Sequence, residues 1–543
     1  MQIESLTLES LFVNSVKNYG DKIAVSLVGG DPVTYTQLGE RVQALSAKMY
    51  ALGLRSGDHV ALFGASSPDW VISYFAIVCM GAVVVPILPD FTSDAVNNIL
   101  EHSESKILIA DKKLYEKMDL EHMPSQLAVF NTSGGYLQSP ELEPTECSSI
   151  VRPYISDSDL AAIVYTSGTT GTSKGVMLTH KNLASNACVG KTIVDMDQSD
   201  ILLSILPLAH TYECTFGMIF ALINGASIYY LGKRPTASIL LPALAKIRPT
   251  YILSVPLVIE KIFKLRIQPK LQKNAFSRFL LRLPPIRKLL HRIAGKKLYQ
   301  VFGGKLKFFG IGGAPLAPDV ELFLRDAGFP YAIGYGLTET SPLIAGCGPK
   351  ITQYKSTGPI VDGVSVHIEK STSNASLGEI WVKGPNVMRG YFKNKEATQK
   401  VFTDDGWFRT GDLGQLSKDG YLYIKGRLKN MLLGPSGENI YPEEIEALLA
   451  RFPSVMESVV VQRVGRLVAR VHLNREELSL RYETLKEKEK AFEEYVQDHL
   501  EEIRMKVNQK LSAFSKLQMI IEQLEPFEKT PTNKIKRFIY ASS

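Results

Sequence analysis

The strongest constraint on the fold is an alternation of helical apolar patterns with short β-rich runs. Between residues 35 and 89 the chain reads RVQALSAKMYALGL, DHVALFGA, WVISYFAIVCMG and AVVVPIL in turn. The alternation continues through KILIAD, LAAIVYTSG, ILLSILPL and ASIYYLG. Strands interleaved with helices predict α/β layers with largely parallel sheets. At 543 residues the chain exceeds what one hydrophobic core can serve, so at least two domains are expected.

Residues 71–89, VISYFAIVCMGAVVVPILP, have the length of a membrane span. They end in prolines and carry Gly81 in the middle, which predicts a buried helix running into a buried strand. Apolar residues at 45% and charged residues at 22% describe a globular chain rather than a disordered one. Five widely spaced cysteines, with no CxxC pair, argue against a zinc site or a disulfide framework. The opening MQIESL lacks the basic start and apolar run of a signal peptide, and the expected location is cytoplasmic.

The net charge of +7 matters less than its distribution. Residues 261–318 hold fourteen Lys or Arg and no Asp or Glu. Inside that segment RFLLRLPPIRKLLHRIAGKKL interleaves basic residues with Leu, Ile and Phe. Two readings stay open: a solvated insertion or ordinary core helix, or a surface that touches anionic lipid headgroups through residues 261–307. In the second, the protein would sit peripherally at the inner face of the membrane. Pro284 and Pro285 break any single long helix here. No motif accompanies the charge to suggest nucleic acid.

Beyond residue 355 the pattern becomes short strands between Gly, Asp and Asn turns (VSVHIE, GEIWVKG, GYLYIKG), a compact β-rich subdomain. After Arg427 a small α+β region follows. Its Phe492, Tyr495, Val496, Leu500, Ile503, Val507 and Leu511 recur at helical spacing and are expected to pack on their own domain.

Residues 165–180, YTSGTTGTSKGVMLTH, carry the clearest chemistry. Small residues let backbone N–H groups approach a phosphate, hydroxyls add donors, and Lys174 adds positive charge. Ser173 rather than Gly precedes the lysine, so this is not a Walker A loop. Its place between two apolar segments does not suit a flexible linker.

This segment resembles the phosphate loop of the adenylate-forming superfamily, and the remaining motifs of that family follow in order along nearly the whole chain. The resemblance implies that Thr166, Ser167, Gly168, Thr169, Thr170, Gly171, Thr172 and Lys174 bind ATP. GGAPL (residues 312–316) resembles the loop that lies against adenine, placing Gly313, Ala314 and Pro315 there. GYGLTET (334–340) is similar to the next motif, with Gly334, Gly336 and Leu337 beside an aromatic, Tyr335, that stacks on adenine. Thr338 would approach the phosphates and Glu339 would bind Mg²⁺. RTGDL (409–413) implies that Asp412 accepts the ribose hydroxyls. GRLKN (426–430) resembles the inter-domain hinge, with Arg427 near the ribose and Lys429 as pivot. SGENIYP (436–442) resembles the loop lining a pantetheine tunnel, so Ser436, Gly437 and Glu438 would contact coenzyme A. KTPTNKIKR (529–537) resembles the motif bearing a catalytic lysine, Lys534, with Asn533 where the common pattern has Gly.

LPLAHTYE (206–213) resembles the motif whose histidine, here His210, borders the acyl pocket and thiol tunnel. The aspartate of peptide-synthetase adenylation domains is missing from residues 210–217. The forms PLAHTYE and GGAPL look most like long-chain fatty acyl-CoA synthetases. Residues 219–228, IFALINGASI, would wall an acyl tunnel or serve as ordinary core. The resemblance implies a large domain of residues 1–428 with two α/β sheets and a β-rich subdomain, then a mobile α+β domain of residues 429–543. Three functions compete: fatty acid ligation to coenzyme A, acyl transfer to a phosphopantetheinyl carrier protein, and non-catalytic lipid binding. Intact Lys174, Glu339, Asp412 and Lys534 disfavour the last. The first two share the same pantetheine arm.

Overall fold

Ser67 caps the helix Pro68–Val78 by accepting the Trp70 amide hydrogen, and Pro68 takes the first helical position, where its missing N–H costs nothing. Every residue of that helix except Asp69 is buried. Gly81, at φ +72°, turns the chain into the strand Val83–Ile87, which is buried throughout. Residues 71–89 are therefore core. Among the described residues, no helix is long and apolar enough to cross a membrane. The computed structural model describes residues 6–124, 128–138, 153–166, 173–370, 372, 377–433, 439–463, 465–483, 491–530 and 535–541.

The strand Val83–Ile87 lies inside an eight-stranded sheet, whose order is Gly390–Tyr391, Lys174–Thr179, Leu160–Thr166, Val83–Ile87, His59–Phe63, Ile107–Ala110, Ala128–Asn131 and Tyr136–Gln138. The middle strands run parallel, as helical crossovers require. The edges are antiparallel, and at one of them Leu160–Thr166 pairs with Lys174–Thr179. A seven-stranded sheet follows the order Tyr331–Ile333, Phe308–Ile311, Tyr251–Ser254, Ile201–Ser204, Ser227–Tyr230, Ile23–Leu27 and Val33–Thr34. It is parallel except at its last pair. One apolar cluster fills the space around the first sheet and reaches the near side of the second. Another lies on the far side, under the helices Ala237–Ile247 and Pro318–Ala327.

The β-rich segment forms a four-stranded antiparallel sheet, Ser365–Glu369, Gly378–Lys383, Phe408–Leu416 and Leu422–Arg427. Past it, the strands Val455–Arg463, Arg466–Leu473 and Met519–Glu522 make a last sheet. The helix Phe492–Asn508 buries Val496, Leu500, Ile503 and Val507 in a core built from residues 440–520. The expected apolar stripe thus packs within its own region. In the basic segment, Pro284 and Pro285 open the helix Pro284–Val301 and separate it from the short helix Ala275–Leu280.

Candidate active site

Both large sheets deliver their motifs at strand ends, where loops are free to face a ligand. Thr166 and Lys174 pair at the tip of the hairpin, and the Thr166 hydroxyl lies 3.5 Å from the Lys174 carbonyl. Ser167, Gly168, Thr169, Thr170, Gly171 and Thr172 lie outside the described residues. The next strand outward, Gly390–Tyr391, sets Tyr391 opposite Val176, so its ring is a diagonal neighbour of Lys174. The Lys174 ammonium sits 4.8 Å from the centre of that ring, a cation–π contact.

GYGLTET follows the strand Tyr331–Ile333. Tyr335–Gly336 folds back on Leu343–Ala345, and a Cβ on Gly336 would stand 1.7 Å from the Pro342 carbonyl oxygen. Only glycine allows that approach. The intervening turn Thr338–Thr340 is pinned from two sides: the Asn386 amide donates to the carbonyls of Thr340 and Leu343, and Asn186 both donates to and accepts from the Leu343 backbone. This directs Glu339 to Tyr391, whose hydroxyl donates to its Oε1 at 3.0 Å. Burial, then the Glu339 charge, raises the Tyr391 phenol above its ordinary value and keeps it a donor.

Asp412 reaches the same region through a bulge. Residues 410–412 oppose the single residue Ile380, and Gly411 takes φ +70° within it. The buried Asp412 carboxylate accepts from the Tyr335 hydroxyl at 2.8 Å and pairs with Arg427 Nε at 3.0 Å. Arg427 lies directly across the strand pair. Burial, then the Asp412 charge, pushes the Tyr335 phenol well up, so it remains protonated. Gly313, Ala314 and Pro315 are exposed at the end of the strand Phe308–Ile311, beside Gly334, whose N–H bonds the Ile311 carbonyl at 2.9 Å.

LPLAHTYE leaves the end of the strand Ile201–Ser204. The Ser66 hydroxyl fastens it by donating to the Leu206 carbonyl and accepting from the Leu208 N–H. His210 is half-buried one turn before the wide π-helical segment Glu213–Ile219. The Tyr212 ring lies over the backbone of Gly310 and Gly312, where side chains would collide with it or crowd it. Behind Tyr212 opens an apolar cavity of about 540 Å³, its mouth included. Gly334, Phe216, Phe220, Leu343 and Gly346 line it, so Phe220 alone of the run 219–228 belongs to this wall. Glu213 is fully buried beside Ser204, and burial pushes its carboxyl up to about 8.

Thr338, Glu339, Tyr335, Asp412 and Arg427 therefore converge on one side of the hairpin that holds Lys174. Lys429 stands exposed in the turn Leu428–Asn430, outside this cluster. Ser436, Gly437, Glu438 and Lys534 lie outside the described residues.

The model of the AMP-binding enzyme family matches residues 12–392. The chain belongs to that family. Within it, the long-chain-fatty-acid–CoA ligase FadD15 of Mycobacterium bovis is 31% identical over 461 residues, covering 79% of this chain and 75% of the relative. A long-chain-fatty-acid–[acyl-carrier-protein] ligase of Arabidopsis thaliana, AEE15, is 29% identical, covering 86% and 76%. The solved structure of ATP-bound MatB from Rhodopseudomonas palustris superposes with a TM-score of 0.76 at 25% identity, covering 99% and 98% of the two chains.

Sequence reading missed three contributors to this family site: Tyr391, Asn186 and Asn386. The run GPNVMRGY, punctuated by Gly, Pro and Asn between two strands, was the available signal for Tyr391 and Asn386. Asn186 sits mid-helix in His180–Ile193, where nothing local marks it. Glu339 suits Mg²⁺: one oxygen is held by Tyr391, and the other has no hydrogen-bond partner among the described residues. Mg²⁺ is commonly held by one or two carboxylates, with water and phosphate oxygens completing its shell.

Proposed function

We propose that the protein activates a long-chain fatty acid with ATP and passes the acyl group to coenzyme A. The observation carrying this reading is the apolar cavity whose wall includes Tyr212 and Gly334, the first residue of GYGLTET. A fatty chain in that cavity would bring its carboxylate to the cluster of Thr338, Glu339 and Lys174. The carboxylate oxygen attacks the α-phosphorus of ATP, the acyl–phosphate bond forms, and pyrophosphate leaves with the pair of the broken anhydride bond. The thiol sulfur then attacks the acyl carbonyl, and AMP departs.

Each residue has a task in this scheme. Asp412, oriented by Tyr335 and Arg427, accepts from the ribose hydroxyls. Gly313, Ala314 and Pro315 border the adenine, and residues 167–172 would bind the phosphates. Lys174 offsets charge that accumulates on the phosphates, where fixed donors act most strongly. Mg²⁺ on Glu339 would supply further charge neutralisation. Residues 1–428 would form the adenylating domain, with residues 429–543 moving about Lys429.

Similarity to the Arabidopsis ligase named for acyl-carrier protein favours one second reading, in which the acceptor is a phosphopantetheinyl carrier. The test is AMP release across a series from acetate to arachidate, with benzoate added, first with coenzyme A and then with carrier protein. Myristate or palmitate is expected to exceed acetate and benzoate, since each buried methylene contributes ~0.8 kcal/mol. Preference for benzoate would overturn the fatty acid reading, and thioester formation on carrier protein alone would overturn coenzyme A.

A further inference from the structure

The basic segment plays no part in the site above, yet its structure is unusual for a water-facing surface. The helix Pro284–Val301 turns His291, Gly295 and Leu298 inward. A Cβ on Gly295 would lie 2.5 Å from that of Ala327, so the helix is pressed against its neighbour Pro318–Ala327. Arg287 and His291 both reach Asp326, at 2.8 and 3.1 Å, and lock its rotation. With that orientation set, the positions at helical spacing on the opposite side are Lys288, Leu289, Arg292, Ile293, Lys296 and Lys297, all exposed. Leu289 is 59% and Ile293 52% exposed.

The preceding helix Ala275–Leu280 repeats this chemistry. Phe276 is 68% and Phe279 56% exposed, with Arg278 between them and Arg282 just beyond. Large apolar side chains left in water are ordinary when scattered singly; two consecutive helices exposing them between cations are not. The charge is also uncompensated. Among the described residues, Arg287 and Lys307 are the only Lys or Arg of this segment that pair with a carboxylate. No acid occurs from 261 to 318.

We propose that the outward faces of these two helices dock on an anionic phospholipid surface. Cations at the edge of a headgroup layer meet phosphates and serines, while Phe276, Phe279, Leu289 and Ile293 enter the acyl boundary beneath. Nucleic acid would satisfy the cations and leave the leucine and isoleucine in water. The docking face is independent of the adenylating cluster, so the two succeed or fail separately.

The test is co-sedimentation of the full chain with vesicles of phosphatidylcholine alone and of phosphatidylcholine with one-third phosphatidylglycerol, at low and high salt. Two variants accompany it: Arg282→Glu with Lys288→Glu and Arg292→Glu, and Phe276→Ser with Phe279→Ser and Leu289→Ser. Arg287 is left intact because it holds the helix in place. Wild type is expected to prefer the anionic vesicles by more than tenfold, with binding weakening as salt rises. Each variant is expected to lose at least tenfold in binding while keeping its unfolding temperature and its AMP-forming activity on short acids. Equal binding by wild type and either variant would overturn the proposal. So would failure of wild type to distinguish the two lipids, or displacement by RNA that the serine substitutions leave unchanged.

Discussion

Tyr391 donates a hydrogen bond of 3.0 Å to Glu339, joining the edge strand of one sheet to the turn that follows the other. The same ring carries the Lys174 ammonium on its face. One side chain thereby fixes the spacing between the anionic and cationic groups that the proposed reaction places on either side of the phosphates.

Tyr391→Phe separates these tasks, because it keeps the ring under Lys174 and removes only the donor to Glu339. A hydrogen bond to a charged group contributes ~1.5–3 kcal/mol, so kcat/KM in pyrophosphate exchange should fall by roughly tenfold or more. The Mg²⁺ concentration for half-maximal rate should rise with it. An unchanged Mg²⁺ dependence would show that Glu339 is held adequately without the tyrosine.

The cavity wall offers a second experiment. A Cβ on Gly346 would touch Leu343 and Ile193 at 3.4 to 3.6 Å, an ordinary contact with two other lining residues. Gly346→Val should thus fold normally while its two further methyls intrude on the chain. Turnover of palmitate is expected to drop about tenfold or more relative to hexanoate, since overpacking a filled apolar space costs roughly 1–3 kcal/mol. An unaltered chain-length profile would place the acyl group elsewhere.

Local periodicity made much of the architecture legible. The run WVISYFAIVCMG–AVVVPIL became a buried helix and strand because a residue-level pattern dictates which faces meet. The motifs carried Asp412, Tyr335 and Arg427 into one cluster for a different reason: Asp412 sits in a bulge, Arg427 ends the strand paired with it, and Tyr335 opens the short strand that folds back on Leu343–Ala345. Tyr391 was invisible because its function arises from pairing with a strand more than two hundred residues earlier. The charge pattern of residues 261–318 was plain, but its meaning depended on which side of the helix His291 and Gly295 turn inward.

Glu213 supplies a prediction about stability. Its carboxyl, pushed up to about 8 by burial, stays protonated in the folded protein at neutral pH. In the unfolded chain the group ionises near its ordinary value of about 4.3. Between these values the folded state binds the extra proton, so this group's contribution is fully present below the unfolded value and is lost as pH rises through about 8. Glu213→Gln, which is neutral at every pH, should flatten the unfolding temperature across that window and raise it most at the alkaline end. Parallel curves for both proteins would mean that Glu213 is ionised and compensated in the fold.

The last prediction concerns the two-step order of the proposed reaction. Lys429 lies in a short turn closed by the Met431 N–H on the carbonyls of Arg427 and Leu428, at 3.2 and 3.3 Å. Beyond it the Asn430 amide reaches Glu443 at 2.6 Å, and Lys425 pairs with Glu444 at 3.6 Å, so contacts from the last region flank the turn on both sides. Proline at 429 removes none of those turn bonds, but it fixes φ near −65° and denies the turn any other conformation. If residues 429–543 rotate here between adenylation and thioester formation, Lys429→Pro should slow the second step and spare the first. Lys534→Ala should do the reverse. Loss of one positive donor from the adenylation transition state is worth ~10²-fold, whereas acyl transfer from ready-made acyl-adenylate should proceed at nearly the wild-type rate. Pyrophosphate exchange reads the first step, and thioester formation from synthetic adenylate reads the second. Equal losses in both assays for Lys534→Ala, or in both for Lys429→Pro, would show that these residues maintain one structure rather than serve alternate ones, and the rotation would have to be abandoned.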